Sequence, residues 1–162
     1  MRLALVAVGR LKRGPERELA DTYRARADAL ARGLGFAPVK VTEIPESRAR
    51  RAPDRCDEEG SLILGAVMPG SALMVMDEGG RPVTSTGFAD QLGAWRDGGR
   101  SGLAIVIGGA DGLSEAVRQR ADLLFAFGAA TLPHGLVRVL ALEQVYRAMT
   151  ILAGHPYHRG AP

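Results

Sequence analysis

Short, mostly apolar runs recur along the chain, and the first of them has no polar alternation. The first occupies residues 3–9 and stops at Gly9; the others are residues 39–44, 73–76, 103–107 and 123–127. Continuous apolar runs of this length, bounded by turn residues, are typical of strands that are covered on both faces. The pattern therefore predicts five strands, the first of them buried on both faces.

Stretches with helical spacing separate these runs. In residues 15–34 the apolar positions include Leu19, Tyr23 and Leu30, with charged residues between them, which indicates an amphipathic helix. Further helices are predicted over residues 56–67, from a cap among residues 84–86 to the glycines at 98–99, from Ser114 to about Arg120, and over residues 136–153.

Alternation of buried strands and amphipathic helices, with no hairpin signal, predicts an α/β fold: one Rossmann-like domain over residues 1–162, with a mostly parallel sheet and helices on both faces. In such sheets ligands bind outside the carboxyl ends of the strands. Three loops at that edge are rich in glycine or other small residues: 77–82, 108–112 and 128–134. Their convergence predicts a ligand site.

Composition narrows the class of protein. Hydrophobic residues make up 46% and charged residues 24% of the chain, and this is the balance of a globular protein. The net charge is +3 with arginine far more common than lysine, which favours either an anionic partner or simply a genome rich in G and C. Cys56 is the only cysteine, so no internal disulfide forms and a reducing cytoplasm is expected. The first apolar run is too short to span a membrane.

The motifs exclude several chemistries. Residues 107–112, IGGADG, match neither a dinucleotide fingerprint nor a phosphate-binding P-loop, and no GxSxG elbow occurs. The three histidines and Cys56 do not form a metal-type cluster, so no metal is expected. A site of glycines and small side chains suits a cofactor that carries its own reactivity, and methyl transfer from S-adenosylmethionine fits this description.

Four segments carry a resemblance to a known family: VAVG at 6–9, IGGADGL at 107–113, TLPHGLVRVLALEQVYRA at 131–148 and HPYHR at 155–159. Together they closely resemble the SPOUT-class ribosomal RNA large subunit methyltransferase H family. The resemblance implies an α/β fold with a C-terminal trefoil knot, a homodimer, and transfer of a methyl group from S-adenosylmethionine to N3 of a pseudouridine in 23S rRNA.

The same resemblance implies which residues form the site. Its cofactor-binding positions correspond to Met76, Asp77, Gly108, Gly109, Gly128, Ala129, Ala130, Thr131, Leu132 and Pro133. Gly128 and Ala130 are smaller than the residues expected there. Candidates on the RNA-facing side are His134, Arg138, Tyr157, His158 and Arg159, with no general base assigned among them.

Three surfaces have both a functional and a simpler interpretation. The helix at 136–153 is apolar on nearly every side, which predicts burial by its own core and by a partner subunit, with core alone as the alternative. Arg48, Arg50, Arg51 and Arg55 are candidates for RNA phosphate contacts or a solvated loop. The HPYHR tail would stack on and orient a base, or is an ordinary chain end.

Two other functions stay open at this stage. A SPOUT-like RNA-binding protein without catalysis would keep the fold, and calorimetry with S-adenosylmethionine separates it from an enzyme. A small-molecule enzyme that uses a different nucleotide is disfavoured, because the nucleotide fingerprints are missing.

Overall fold

A computed structural model describes residues 1–156 and contains a five-stranded sheet with the order β2-β1-β4-β3-β5. All four strand pairings are parallel. In chain order the elements are β1 (Arg2–Val8), α1 (Pro15–Ala31) with a 3-10 turn (Arg32–Leu34), β2 (Val39–Ile44), α2 (Ala52–Ala66), β3 (Ala72–Pro82), α3 (Ser85–Asp97), β4 (Gly102–Ile107), α4 (Glu115–Arg120), β5 (Leu123–Ala126) and α5 (His134–Leu152). The predicted α/β class and parallel sheet are confirmed.

The sheet separates two apolar layers. Alternate residues of β1 show this directly, because Leu5 belongs to one cluster of buried side chains and Val6 to the other. Helices α1, α3 and α5 cover the first face, and α2 and α4 cover the second. Every strand but the two at the edges is thus buried on both sides, which explains the unbroken apolar runs.

Local signals set the helix starts. Thr84 Oγ1 accepts a hydrogen bond from the Gly87 amide at 3.0 Å, and Ser114 Oγ accepts one from the Val117 amide at 3.4 Å, so both predicted N-caps are confirmed. Helix α2 begins at Ala52 and not at residue 56 as predicted. Proline near the first turn explains this difference, because its fixed φ favours the helix and its missing N–H is not needed there.

Strand β3 extends further than its apolar run. The sequence predicts a loop over 77–82, and this is wrong: β3 continues to Pro82, and Arg81 and Pro82 pair with Phe125 and Ala126 of β5 after a register shift that begins at Met76. Gly80 allows the backbone of β3 to come back against β5 after this shift. A Cβ at this position would lie 2.8 Å from backbone atoms of Leu124 and Phe125.

Helix α5 packs between α1 and α3. Val139, Leu142, Val145 and Met149 are buried within this single chain, whereas Leu136 is 43% exposed. The protein's own core therefore accounts for most of the apolar surface that the sequence assigned jointly to core and partner. The trefoil knot implied by the family resemblance stays a prediction.

The chain leaves two neighbouring strands in opposite directions. Helix α3 follows β3 on one face of the sheet, and α4 follows β4 on the other face. A crevice opens outside the carboxyl ends of parallel strands at such a switch point. The fold therefore predicts a cavity beyond Met76 and Ile107.

Substituting Gly80 tests whether close backbone contact holds β3 and β5 together. We expect Gly80→Ala to lower the free energy of unfolding by about 1–3 kcal/mol, because the added methyl group meets backbone that cannot rotate away. Urea unfolding measures the change. Gly33→Ala is the matched control, since nothing lies within 4 Å of its Cβ position. Equal midpoints for the two variants would contradict the packing argument.

Candidate cofactor site

A cavity of about 470 Å³ lies at the switch point, within the size range of ligand sites in proteins. All three loops predicted from the sequence contribute to its wall. The lining residues are Met76, Asp77, Glu78, Ile107, Gly108, Gly109, Ala110, Asp111, Gly112, Leu113, Arg118, Phe125, Ala126, Phe127, Gly128, Ala130, Thr131, Leu132, His134 and Val137.

The predicted cofactor residues largely meet at this cavity. Met76, Asp77, Gly108, Gly109, Gly128, Ala130, Thr131 and Leu132 line it. Ala129 and Pro133 belong to the same loop but are not part of the lining. The structure thus brings the three loops together, while the contact of each residue with a cofactor stays a prediction.

The glycines of the 108–112 loop serve packing more than backbone flexibility. Gly112 alone of the three has a positive φ, at 89°. A Cβ on Gly108 would lie 2.7 Å from Leu113 Cγ, and a Cβ on Gly109 would lie 2.6 Å from Glu59 Oε2. The space that these glycines leave is therefore filled by the protein itself, and the loop is drawn tightly against α2 and Leu113.

Two ion pairs fix the acidic side chains of the cavity wall. Arg118 Nε donates to Asp77 Oδ2 at 2.8 Å, and this carboxylate also accepts the Gly79 amide at 2.9 Å. Arg55 binds Asp111 through two nitrogens, Nε to Oδ2 at 2.7 Å and Nη2 to Oδ1 at 2.9 Å. Such forked pairing fixes the orientation of a carboxylate as well as its charge.

These pairs also set the charge of the wall. The hydrogen bond from Arg55 holds the pKa of Asp111 below its ordinary value, and the hydrogen bond that Arg118 donates to Asp77 raises the pKa of Arg118. Glu78 accepts a hydrogen bond from Thr131 Oγ1 at 3.2 Å, which links β3 to the loop after β5. Arg118 and Arg55 balance two of the three carboxylates in the lining, so Glu78 leaves one formal net negative charge, which favours a cationic ligand.

His134 and Arg138 have different environments. His134 is the first residue of α5 and lines the cavity. Arg138 is only 4% exposed and donates to Glu43 Oε1 at 3.0 Å and to the carbonyl oxygens of Val8 and Gly9 at 2.8 and 2.7 Å. It holds α5 against the end of β1. Its side chain is buried and does not lie on an RNA-facing surface, contrary to what the sequence had led us to expect.

Three predicted residues cannot be placed in this way. Tyr157, His158 and Arg159 lie outside the described residues, so the roles suggested for them stay predictions.

Several lining residues were missed by sequence reasoning. Phe125 and Phe127 pack edge to face with their ring centroids 5.0 Å apart and form an apolar wall below the last loop. They had been assigned only to a strand. Arg118 belongs to a short helix with no motif, and only the fold brings it to Asp77. An arginine–aspartate pair 41 residues apart leaves no local signal in one sequence.

Neither a metal-binding cluster nor a membrane-spanning helix is found among the described residues. No group of three or more His, Cys, Asp or Glu side chains in residues 1–156 is arranged to hold a metal ion. Among the same residues, no helix is long and apolar enough to cross a membrane.

Comparison with known proteins identifies the family of this chain. A family model described as "Predicted SPOUT methyltransferase" matches residues 1–158. Ribosomal RNA large subunit methyltransferase H of Methylobacterium nodulans is 83% identical over 162 residues, which cover 100% of both chains. The protein of the same name from Nitrobacter hamburgensis is 57% identical over 160 residues, or 99% of this chain and 100% of that one.

A match over nearly the whole chain, with relatives far above 30% identity, confirms the family that the sequence motifs indicated. This protein belongs to the ribosomal RNA large subunit methyltransferase H family of SPOUT methyltransferases.

Proposed function

We propose that this protein transfers a methyl group from S-adenosylmethionine to N3 of a pseudouridine in 23S rRNA of the large ribosomal subunit. The observation that carries this proposal is the cavity at the switch point, where the three segments that contain the predicted cofactor residues form one wall. Relatives that align over their full length bear the name of a ribosomal RNA methyltransferase.

The residues of the cavity fit the proposed cofactor. S-adenosylmethionine is an elongated molecule with an apolar adenine face and positive charges on its sulfonium and ammonium groups. Met76, Leu113, Phe127, Leu132 and Val137 supply apolar surface, and the excess of carboxylates suits the positive charges. When bound, the cofactor supplies a methyl group that its sulfonium centre already activates.

The chain itself has to bind and orient the two reactants and to exclude water from the site. Its largest contribution is to hold two reactants in line. In well-oriented systems this lowers the activation free energy by an amount on the order of 7–11 kcal/mol. The paired carboxylates and the packed glycine loop orient the groups of the wall. Rigid, pre-oriented groups are what this kind of catalysis requires.

The acceptor nitrogen of pseudouridine carries a proton that has to leave. Among the five candidates on the RNA-facing side, His134 is a lining residue of the cavity and the first residue of α5. We therefore assign His134 to contact with the acceptor base. Arg138 has instead a positioning role, because its hydrogen bonds hold the first turns of α5 against β1.

The proposal extends to the assembly. We infer one methyltransferase domain over residues 1–162 that acts as a cytoplasmic homodimer on the ribosome or its rRNA. Leu19 on α1 and Leu136 on α5 are 45% and 43% exposed on the same face of the sheet. Two solvent-exposed leucines on adjacent helices favour burial against a second copy of the chain.

Methylation of ribosomes tests the catalytic proposal. Ribosomes from a strain that lacks this protein, incubated with the protein and S-adenosylmethionine, should gain one methyl group on a pseudouridine of 23S rRNA by mass spectrometry. We expect His134→Ala to reduce the initial rate at least ten-fold, because the acceptor loses its contact, while the affinity for S-adenosylmethionine changes much less.

The control is the same protein with Arg100→Gln, whose side chain lies at the opposite edge of the sheet beside Asp122. Cofactor binding without any transfer to rRNA would support the alternative, a SPOUT-like RNA-binding protein without catalysis. Transfer to another base would leave the enzyme class intact and refute the pseudouridine assignment.

Sedimentation tests the dimer. We expect the wild-type protein to sediment as a dimer at micromolar concentration and Leu136→Glu to shift it toward monomer, because a buried charge is costly at an interface. Leu62→Glu is the matched control: Leu62 is 49% exposed but lies on α2, on the other face of the sheet. A monomeric wild-type protein would refute the proposed assembly.

A further inference from the structure

Residues 47–51 form a basic segment between β2 and α2, beyond the carboxyl end of β2. Arg48, Arg50 and Arg51 are exposed there. The segment therefore lies at the same edge of the sheet as the cofactor cavity. Clustered guanidinium groups are suited to phosphate oxygens.

Arg55 differs from its neighbours in sequence. Its guanidinium binds Asp111 on one side through Nε and Nη2, at 2.7 and 2.9 Å. On the other side Nη1 donates to the carbonyl oxygens of Ala49 and Arg50 at 2.9 and 3.0 Å. The prediction that Arg55 contacts RNA phosphates is therefore not supported, since its donors are already directed into the protein. One side chain instead connects the basic segment to a residue of the cavity wall.

Glu59 makes a second connection one helical turn later. Its Oε1 accepts a hydrogen bond from the Ser47 amide at 2.9 Å. Its Oε2 occupies the space next to Gly109, where an added Cβ would lie only 2.6 Å away. Glu59 is 6% exposed, so neither contact is readily replaced by water. Two residues on one side of α2 thus touch both the basic segment and the glycine loop.

We propose that Arg55 and Glu59 couple the basic segment to the glycine loop, so that rRNA phosphates held by Arg48, Arg50 and Arg51 tighten cofactor binding. This inference rests on the proposed function. A phosphate that holds the basic segment in place also holds the carbonyl oxygens that Arg55 binds, and Arg55 in turn fixes Asp111. A cofactor that then enters the cavity meets a loop whose ordering is already complete.

Arg55 is a positioning residue in this scheme and not a catalytic one. It is absent from the cavity lining, whereas its partner Asp111 is part of it. Coupling of this kind is reciprocal, so the cofactor should tighten ribosome binding by the same factor. Coupling between sites commonly changes an affinity by five-fold or more, which calorimetry or dialysis resolves.

Equilibrium dialysis with labelled S-adenosylhomocysteine tests the coupling without turnover. The dissociation constant is measured for the wild-type protein with and without saturating ribosomes from a strain that lacks the modification. We expect ribosomes to tighten binding by about five-fold or more in the wild type. In Arg55→Gln this ribosome effect should vanish.

Two further variants make the result specific. Arg55→Lys keeps the positive charge, but its ammonium group cannot bind a carboxylate in two places and two carbonyl groups together, so it should also lose the ribosome effect. Arg100→Gln breaks an arginine–aspartate pair at the opposite edge of the sheet and should keep it. Urea unfolding of each variant confirms that the fold is intact.

The contact surface itself has its own measurement. Replacing Arg48, Arg50 and Arg51 by glutamine should weaken ribosome binding and flatten its dependence on salt. Unchanged salt dependence would overturn the assignment of the basic segment to phosphates.

The other outcomes are equally decisive. An undiminished ribosome effect in Arg55→Gln, or no ribosome effect in a wild-type protein that methylates rRNA, would overturn the coupling alone. A wild-type protein that neither binds S-adenosylhomocysteine nor methylates rRNA would instead overturn the proposed function.

Discussion

Parallel pairing of β3, β4 and β5 is the constraint on which the rest of the structure depends. The carboxyl ends of parallel strands share one edge of the sheet, so Met76, Ile107 and Ala126 lie in the same region of space. The departures to α3 and α4 lie on opposite faces and keep that region open. A cavity therefore forms from segments that are distant in sequence. Gly80 adds to the constraint, because the backbone of β3 returns against β5 only where no side chain intervenes.

Side-chain pairs hold the segments that line the cavity. Arg118 fixes Asp77, Arg55 fixes Asp111, and Thr131 reaches Glu78. Each pair joins two different elements of the fold. The wall of the cavity is therefore rigid and acidic at the same time, and both properties serve a cationic cofactor that has to be oriented. Helix α2 contributes to this wall through Arg55, which binds Asp111, and Glu59, which packs against Gly109.

The sequence predicted the strands and most helices well, because continuous apolar runs and spacing near 3.6 residues are local properties. It also predicted which three loops would meet, since parallel strands share an edge. It did not predict side-chain pairs between residues that are far apart in the sequence. Arg118 and Asp77 pair across 41 residues, and Arg138 is buried against β1 although a surface role was expected. The return of β3 at Arg81 was missed because a turn rich in glycine has the same composition whether or not its last residues pair.

Calorimetry with S-adenosylmethionine and S-adenosylhomocysteine tests the central claim, that the acidic cavity binds the cofactor. The two ligands differ by a methyl group and a positive charge on sulfur. Asp77→Asn removes one carboxylate and leaves Arg118 without its ion pair, so we expect it to weaken S-adenosylmethionine more than S-adenosylhomocysteine, by about five-fold, on the order of 1 kcal/mol. Asp90→Asn, an exposed change on α3 outside the lining, should alter neither affinity. Wild-type protein that binds neither ligand, or an Asp77→Asn variant that binds both as tightly as wild type, would contradict this account of the site.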